Sequence, residues 1–358
     1  MKHGEFIKNV IDAIGELDSA AMKKAAARQD SLTKPQGSLG VLEEIAIKLA
    51  GISGEVFPNL DDKCVIVIAA DHGVTRHGVS AYPSEVTAQM VANFMRGGAA
   101  INVLARYAGA RVHVVDVGVA SPIPPISGTS FTSVRVRPGT ADISEGPAMS
   151  RDEAEAALAA GITVAQREIS SGAKVLATGD MGIGNTTASA AVFCALTGIP
   201  PIEVVGPGTG LEAEKIAHKI AIVEKALTVN RPDCRDPVDV LSRVGGLEIA
   251  GIAGVILGAA AARTPVVIDG FISGAGAVAA YRLNPKVRNF MFASHLSEEK
   301  GHRLMLQAMG LKPMLHMNMR LGEGTGACLA FLLLEAACRI QREMATFEEA
   351  SISGRSAQ

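Results

Sequence analysis

Glu323 is the residue in this chain best placed to move a proton. It stands in Met319-Arg320-Leu321-Gly322-Glu323-Gly324-Thr325-Gly326, between glycines where backbone can approach a ligand closely. The apolar run Ala327-Cys328-Leu329-Ala330-Phe331-Leu332-Leu333-Leu334 follows at once. A carboxylate in such half-dry surroundings has its pKa pushed upward, toward that of a useful proton acceptor near neutral pH. The sequence therefore points to Glu323 as a general base.

Two glycine loops offer a place for an anion. Gly182-Ile183-Gly184-Asn185-Thr186-Thr187 follows a strand-like run and opens a helical pattern. Free N–H groups at a helix N-terminus, with two hydroxyls beside them, suit a phosphate. The stretch lacks the Gly-Lys-Ser/Thr ending of a P-loop, and Thr187 stands where a dinucleotide fingerprint has glycine. An ordinary helix capped by Asn185 or Thr186 fits it equally well. The second loop, Gly206-Pro207-Gly208-Thr209-Gly210, leads to a helix with Lys215 and Lys219 one turn apart. A lysine there could reach a phosphate as a point charge; for Lys215 a solvated face is the simpler reading.

Near Ser80-Ala81-Tyr82-Pro83-Ser84, the Pro and Ser signal a helix start that sets Gln89 and Met90 on its first turns. A flat ligand with a polar edge could use the Met for contact and the Gln for a hydrogen bond. A core Met and an exposed Gln suit the pattern as well. Asp71, His72 and His77, with Asp116, Asp269 and His295, raise the question of a metal, but their spacing matches no tight ligand motif. No metal and no cofactor are expected.

These residues need elements to carry them. Apolar runs at 64–68, 112–115, 174–177, 204–205, 265–268 and 290–292 read as strands, and 314–317 as a further short one. Helical patterns lie near 84–107, 151–170, 185–197, 211–229, 247–262, 271–282 and 297–309. Continuous apolar strands alternating with helices predict an α/β fold with a doubly wound, mostly parallel Rossmann-like sheet covered on both faces. Ligands in such sheets bind beyond the carboxyl ends of the strands. There the sequence collects Asp71-His72-Gly73, Asp116-Val117-Gly118, Gly179-Asp180-Met181-Gly182, the second glycine loop and Asp269-Gly270. Residues 121–150, rich in Pro, Ser and Gly, read as an excursion or flap. The two ends look helical, so a large α/β domain over 56–310 and a small helical domain from 1–55 plus 311–358 are expected.

Composition narrows the function. Lys plus Arg number 34 against 36 Asp plus Glu, a net charge of -2, which argues against a nucleic-acid surface. Hydrophobic residues make up 48% of 358, enough for a sizeable core. The five cysteines are widely spaced and form no CxxC pair, which reads as a cytoplasmic protein with buried reduced thiols. The uncharged stretch 181–202 holds Asn185, Thr186, Thr187, Ser189 and Pro200-Pro201, so no membrane span is expected.

Five motifs occur in order: Leu32-Thr33-Lys34-Pro35-Gln36-Gly37-Ser38-Leu39-Gly40; Ala70-Asp71-His72-Gly73; Gly179-Asp180-Met181-Gly182-Ile183-Gly184-Asn185-Thr186-Thr187; Ser294-His295-Leu296-Ser297; and Arg320-Leu321-Gly322-Glu323-Gly324-Thr325-Gly326. Together they resemble the nicotinate-nucleotide:dimethylbenzimidazole phosphoribosyltransferases of cobalamin lower-ligand synthesis, over about residues 30–345. The resemblance implies transfer of ribose 5-phosphate from nicotinate mononucleotide to 5,6-dimethylbenzimidazole or a related base, giving alpha-ribazole 5′-phosphate and nicotinate with inversion at C1. It implies a homodimer. It makes Glu323 the catalytic base and Asp180 a supporting carboxylate, standing where many relatives have Glu. The phosphoribosyl candidates are Gly182, Gly184, Asn185, Thr186, Gly206, Gly208, Lys219 and Ser297. The base-binding candidates are Ser80, Gln89, Met90 and Leu321. Two other readings remain: a metal-dependent nucleotide hydrolase using Asp71, His72 and Asp269, or a non-catalytic nucleotide-binding subunit.

Overall fold

The computed structural model describes residues 3–123, 130–208 and 212–353. Its centre is β1 (Lys63–Ala70), whose eight residues are all buried. Both faces are covered, which is why the run is continuously apolar rather than alternating. Val65 lies where a β-carbon on Gly324 would be 2.7 Å away, whereas Ile68 approaches Gly251 in the same way at 3.1 Å. Residues three apart in a strand point to opposite sides. The helix Thr325–Glu343, which follows Gly324, therefore covers one face, and the helix Leu247–Ala261, which contains Gly251, covers the other.

The sheet has seven parallel strands: β1, β2 (Ala110–Gly118), β3 (Phe131–Ser133), β4 (Val175–Met181), β5 (Val266–Ile268), β6 (Met291–His295) and β7 (Pro313–Leu315). Their order is β3-β2-β1-β4-β5-β6-β7. The chain leaves β1 in one direction through β2 and β3, then returns to build the other side from β4. The switch point falls between β1 and β4, where an open α/β sheet leaves a crevice. The α/β, doubly wound expectation is met, and the short strand read at 314–317 is β7.

Several local expectations are corrected. Val204-Val205 forms no strand: Pro201–Val204 is a helical turn with Pro at its start, and Val205 is its C-cap. Pro200 and Pro201 preset φ and favour that turn. The pattern over 84–107 splits at Gly97 and Gly98 into helices Glu85–Arg96 and Ala100–Ala108. The last expected helix starts only at His302. A helix at Pro237–Val244 was not foreseen; Asp236 caps it by accepting the Val238 and Asp239 N–H groups. Residues 121–150 are not a solvent flap throughout. They supply β3 at the sheet edge and then buried Thr140, Ile143, Ser144, Ala148 and Met149. Residues 124–129 of that segment, and 209–211 of the second glycine loop, lie outside the described residues. All five cysteines are free, four buried as expected, but Cys234 is exposed.

The chain ends meet. Leu32 bridges Thr346, Arg28 donates to the Met344 carbonyl at 2.9 Å, and Gln29 donates to Gln341 at 2.6 Å. Among the described residues no helix is long and apolar enough to cross a membrane.

Candidate active site

A cleft of about 680 Å³ opens beyond the carboxyl ends of β4, β5 and β6. Its first wall grows out of β4. Asp180 lies at the end of that strand, and Gly182 and Gly184 make the turn into helix Asn185–Thr197. A β-carbon at Gly182 would sit 2.4 Å from the Ala70 carbonyl oxygen, so only glycine fits between β1 and β4. The Ile183 N–H donates to Thr87 Oγ1 at 3.1 Å. That bond ties the loop to helix Glu85–Arg96, which brings Val86 and Met90 to the cleft.

The second wall is the Glu323 loop. Gly322, Glu323 and Gly324 all have positive φ, Glu323 at 65°. A side-chain-bearing residue in that region is strained by about 1–3 kcal/mol unless its surroundings hold it. Two contacts do so. Asp269, just past β5, accepts the Gly324 N–H at 3.1 Å and the Ala327 N–H at 3.0 Å, satisfying the N-terminus of helix Thr325–Glu343. Glu323 Oε2 accepts the Ile101 N–H at 3.2 Å, at the start of helix Ala100–Ala108. Glu323 is 6% exposed yet lines the cleft, and burial raises its pKa above the usual 4.5.

Asp180 shares that environment. Its Oδ2 accepts from Asn185 Nδ2 at 3.0 Å, and its Oδ1 is buried without a partner among the described residues. Burial, then the charges of Asp269 and Glu248, push it well above the ordinary Asp value. Asp269 itself is raised to about 7 by burial, against the pull of its backbone N–H donors. In the free site Asp180 thus resists ionisation more than a solvated Asp does. A cation placed beside it would draw it toward the carboxylate form.

The far end suits an anion. Lys219 is 1% exposed and donates to Thr186 Oγ1 at 2.7 Å. Burial lowers its pKa to about 8, with Glu299 opposing the shift. A β-carbon at Gly208 would lie 2.9 Å from both Lys219 Nζ and Thr186 Oγ1, so the loop can lie close over them. Arg320 donates to the Gly208 carbonyl at 3.1 Å. Ser297 is fixed by its N–H donating to His302 Nδ1 at 2.9 Å.

Of the residues read from sequence, Asp180, Gly182, Asn185, Thr186, Gly208, Ser297, Met90, Leu321 and Glu323 line one cleft. Gly184 caps the helix behind it, and Lys219 lies behind Thr186 and Gly208. Gly206 abuts Glu299, where a β-carbon would be 2.6 Å from Oε2. Ser80 is half-buried and Gln89 exposed; neither lines the cleft. Tyr82, Val86, Phe271, Ile272, His295, Glu299 and Arg320 line it without having been assigned a part. Several of these stood in or beside quoted motifs, but nothing in their spacing distinguished a lining position from its neighbour.

The residues of the hydrolase reading have other commitments. His72 Nε2 pairs with Glu248 Oε1 at 2.7 Å, Asp71 Oδ2 accepts the Ala120 N–H at 2.8 Å, and Asp269 holds the helix end. His77, Asp142 and Glu145 come close enough to hold an ion among the described residues, but Arg76 already pairs with both acids.

A doubly wound sheet, a cleft at the carboxyl ends of its strands, an anion end and a raised carboxylate at the other end define a transferase acting on a phosphorylated sugar. The chain belongs to the phosphoribosyltransferase family, whose model it matches over residues 14–352. It is 57% identical to the nicotinate-nucleotide–dimethylbenzimidazole phosphoribosyltransferase of Chloroflexus aggregans, over 97% of this chain and 98% of that one. With the enzyme of the same name from Roseiflexus sp. it shares 56% identity, over 98% of both. The crystal structure of the corresponding Thermus thermophilus protein superposes with a TM-score of 0.90 at 50% identity, covering 95% of this chain and all of that one.

Proposed function

We propose that this enzyme moves ribose 5-phosphate from nicotinate mononucleotide to 5,6-dimethylbenzimidazole or a closely related base. The observation that carries this reading is Glu323: a carboxylate of raised pKa, held by the Ile101 N–H, on the wall of a cleft whose other end offers Thr186 and Ser297, with Lys219 directly behind Thr186. Nicotinate is bound as a pyridinium and departs as a neutral ring nitrogen, so its departure needs no acid. The incoming benzimidazole attacks C1 through one ring nitrogen while the other still carries a proton. That proton passes to Glu323, so no cationic base is left. A positioned base is worth roughly 10²–10⁴-fold. Holding both rings on opposite faces of one sugar supplies more, up to about 7–11 kcal/mol. Opposite-face attack inverts C1. Asp180 faces the cationic sugar, whose charge favours its carboxylate form.

Tyr82, Val86, Met90 and Leu321 give the base end an apolar rim suited to a flat heterocycle. A phosphate arriving there would raise the pKa of Lys219 and hold its charge. We also read the protein as a homodimer: Val103 and Tyr107, one turn apart on the helix that holds Glu323, are exposed. The cytoplasm suits its free thiols. Residues 1–55 with 311–358 are read as a smaller unit beside 56–310, a division supported by the Arg28–Met344 and Gln29–Gln341 contacts.

The test is Glu323→Gln, assayed for nicotinate release and for nucleotide binding. Turnover should fall by about 10²–10⁴-fold while nicotinate mononucleotide still binds. Near-normal turnover would remove the proton-acceptor role.

A further inference from the structure

The middle of the cleft carries a histidine that no step above uses. His295 ends β6, is 2% exposed, and lines the cleft. Its tautomer follows from its neighbour. Ser294 Oγ donates to the Asp269 carbonyl oxygen at 2.9 Å, and a carbonyl can only accept. A hydroxyl has one hydrogen. At the second contact of the same Oγ, 2.9 Å from His295 Nδ1, the imidazole must therefore be the donor. Nδ1 carries the hydrogen and Nε2 keeps its lone pair. Burial holds the ring at a pKa of about 4, so it is neutral at working pH. Among the described residues nothing donates to Nε2.

His302 has the opposite arrangement. Its Nδ1 accepts the Ser297 N–H, so its hydrogen sits on Nε2, and it does not line the cleft. Two rings with centroids 6.1 Å apart are thus fixed as different tautomers. The one that faces the ligand presents an acceptor.

The position of that acceptor is also defined. On one side His295 packs on the Glu323 loop, since a β-carbon at Gly326 would meet Nδ1 at 2.1 Å. On the other, a β-carbon at Gly270 would lie 3.8 Å from both His295 Nε2 and Ser297 Cβ. His295 therefore stands between the proton-acceptor end and the anion end. In a nucleoside monophosphate the group between ring and phosphate is the sugar, and its polar hydrogens are hydroxyls. We propose that His295 Nε2 accepts a hydrogen bond from the 2′- or 3′-hydroxyl of the bound phosphoribosyl group and selects ribose over deoxyribose. This rests on the phosphoribosyl-transfer reading and names how the same site selects its sugar. A ring locked with its lone pair toward the ligand is left unpaired when that hydroxyl is missing, which is how a site rejects the deoxy analogue.

The experiment has three readouts on the full-length protein. Calorimetry compares ribose 5-phosphate with its 2-deoxy and 3-deoxy forms on wild type and His295→Phe. Turnover compares nicotinate mononucleotide with its 2′- and 3′-deoxy forms. Nitrogen NMR of the free protein reports the His295 tautomer. Wild type should prefer ribose over one deoxy form by ~10–100-fold, and His295→Phe should lose that preference while treating the deoxy form much as wild type does. The spectrum should show neutral imidazole protonated at Nδ1. An undiminished preference in His295→Phe, or a ring protonated at Nε2, overturns the assignment. Should His295→Phe fail to fold, Ser294→Ala frees the tautomer and should weaken the same preference; an unchanged preference there also overturns it. No nicotinate release by wild type sinks the transfer reading, whereas normal release with an unaltered sugar preference in His295→Phe sinks only the histidine.

Discussion

The carbonyl oxygen of Glu323 lies 2.3 Å from where a β-carbon on Gly179 would stand, with its carbonyl carbon at 2.7 Å and the Gly324 nitrogen at 3.0 Å. Gly179 belongs to β4 and Glu323 to a loop far later in the chain, so strand and loop are packed backbone to backbone. No flexible side chain is available to give way. Gly179→Ala must therefore push the Glu323 loop outward. Stability should fall by about 1–3 kcal/mol. More tellingly, kcat should drop roughly 10²-fold, because a displacement near 1 Å at a positioned base has that effect. The Michaelis constant for nicotinate mononucleotide should stay nearly unchanged. Steady-state kinetics with a thermal melt checks both, and a stable variant with normal kcat would show that the loop tolerates the shift.

The pKa of Glu323 sets a pH profile. Burial raises it above 4.5, so the carboxylate is lost on acidification earlier than a solvated Glu would lose it. As a base it works only when ionised. The value of kcat/KM should therefore fall toward low pH with an apparent pKa above 4.5, and this limb should be absent from the residual rate of Glu323→Gln. The same shift bears on stability. A carboxyl whose folded pKa is raised costs stability above its unfolded pKa and relaxes that cost as pH falls. Glu323→Gln should then melt no lower than wild type at pH 7, although Ile101 N–H keeps only an amide oxygen as acceptor.

The base subsite makes a substrate-specific prediction. Leu321 is 59% exposed at the cleft and, with Met90, Val86 and Tyr82, offers apolar surface. Leu321→Ala should raise the Michaelis constant for dimethylbenzimidazole by about 4–15-fold, the worth of one or two buried methylene-sized groups. The constant for nicotinate mononucleotide should move less than about twofold. Equal increases for both substrates would mean that Leu321 serves the cleft as a whole.

The legibility of this chain follows the range of each signal. The parallel sheet, its covered faces and most helices were readable because burial on both sides makes strands continuously apolar and caps mark helix starts. The Glu323 loop was readable because its glycines are themselves the geometry. What failed depends on phase or on distant packing. Val86 and Met90 are four apart and share the helix face that lines the cleft, whereas Gln89, one step of about 100° away, is exposed. Lys215 and Lys219 look alike in sequence, but Lys219 is buried beneath Thr186. Glu299 and Arg320 carried no signal of their own in the sequence, and only the fold around Gly206 and Gly208 buries one and anchors the other.

Lys219 allows function and stability to be separated. Its pKa falls from 10.5 to about 8 because the ammonium is buried, with Thr186 Oγ1 as its only hydrogen-bond partner among the described residues. Below pH 8 the lysine is charged in both folded and unfolded states, and the folded state bears the whole desolvation cost. Between pH 8 and 10.5 the unfolded chain holds a proton that the folded one has released, so stability rises with pH across that window. Lys219→Met removes the charge while keeping most of the volume. The ligand-free variant should be more stable than wild type at pH 7, by an amount on the order of 2–3 kcal/mol, and the gain should shrink between pH 8 and 10.5. In the presence of nicotinate mononucleotide the order should reverse, because the phosphate supplies the missing counter-charge only to the lysine. Denaturant melts at pH 7 and pH 10, each with and without the nucleotide, test this. A ligand-free variant that is less stable at pH 7 would mean that the Lys219–Thr186 bond outweighs desolvation.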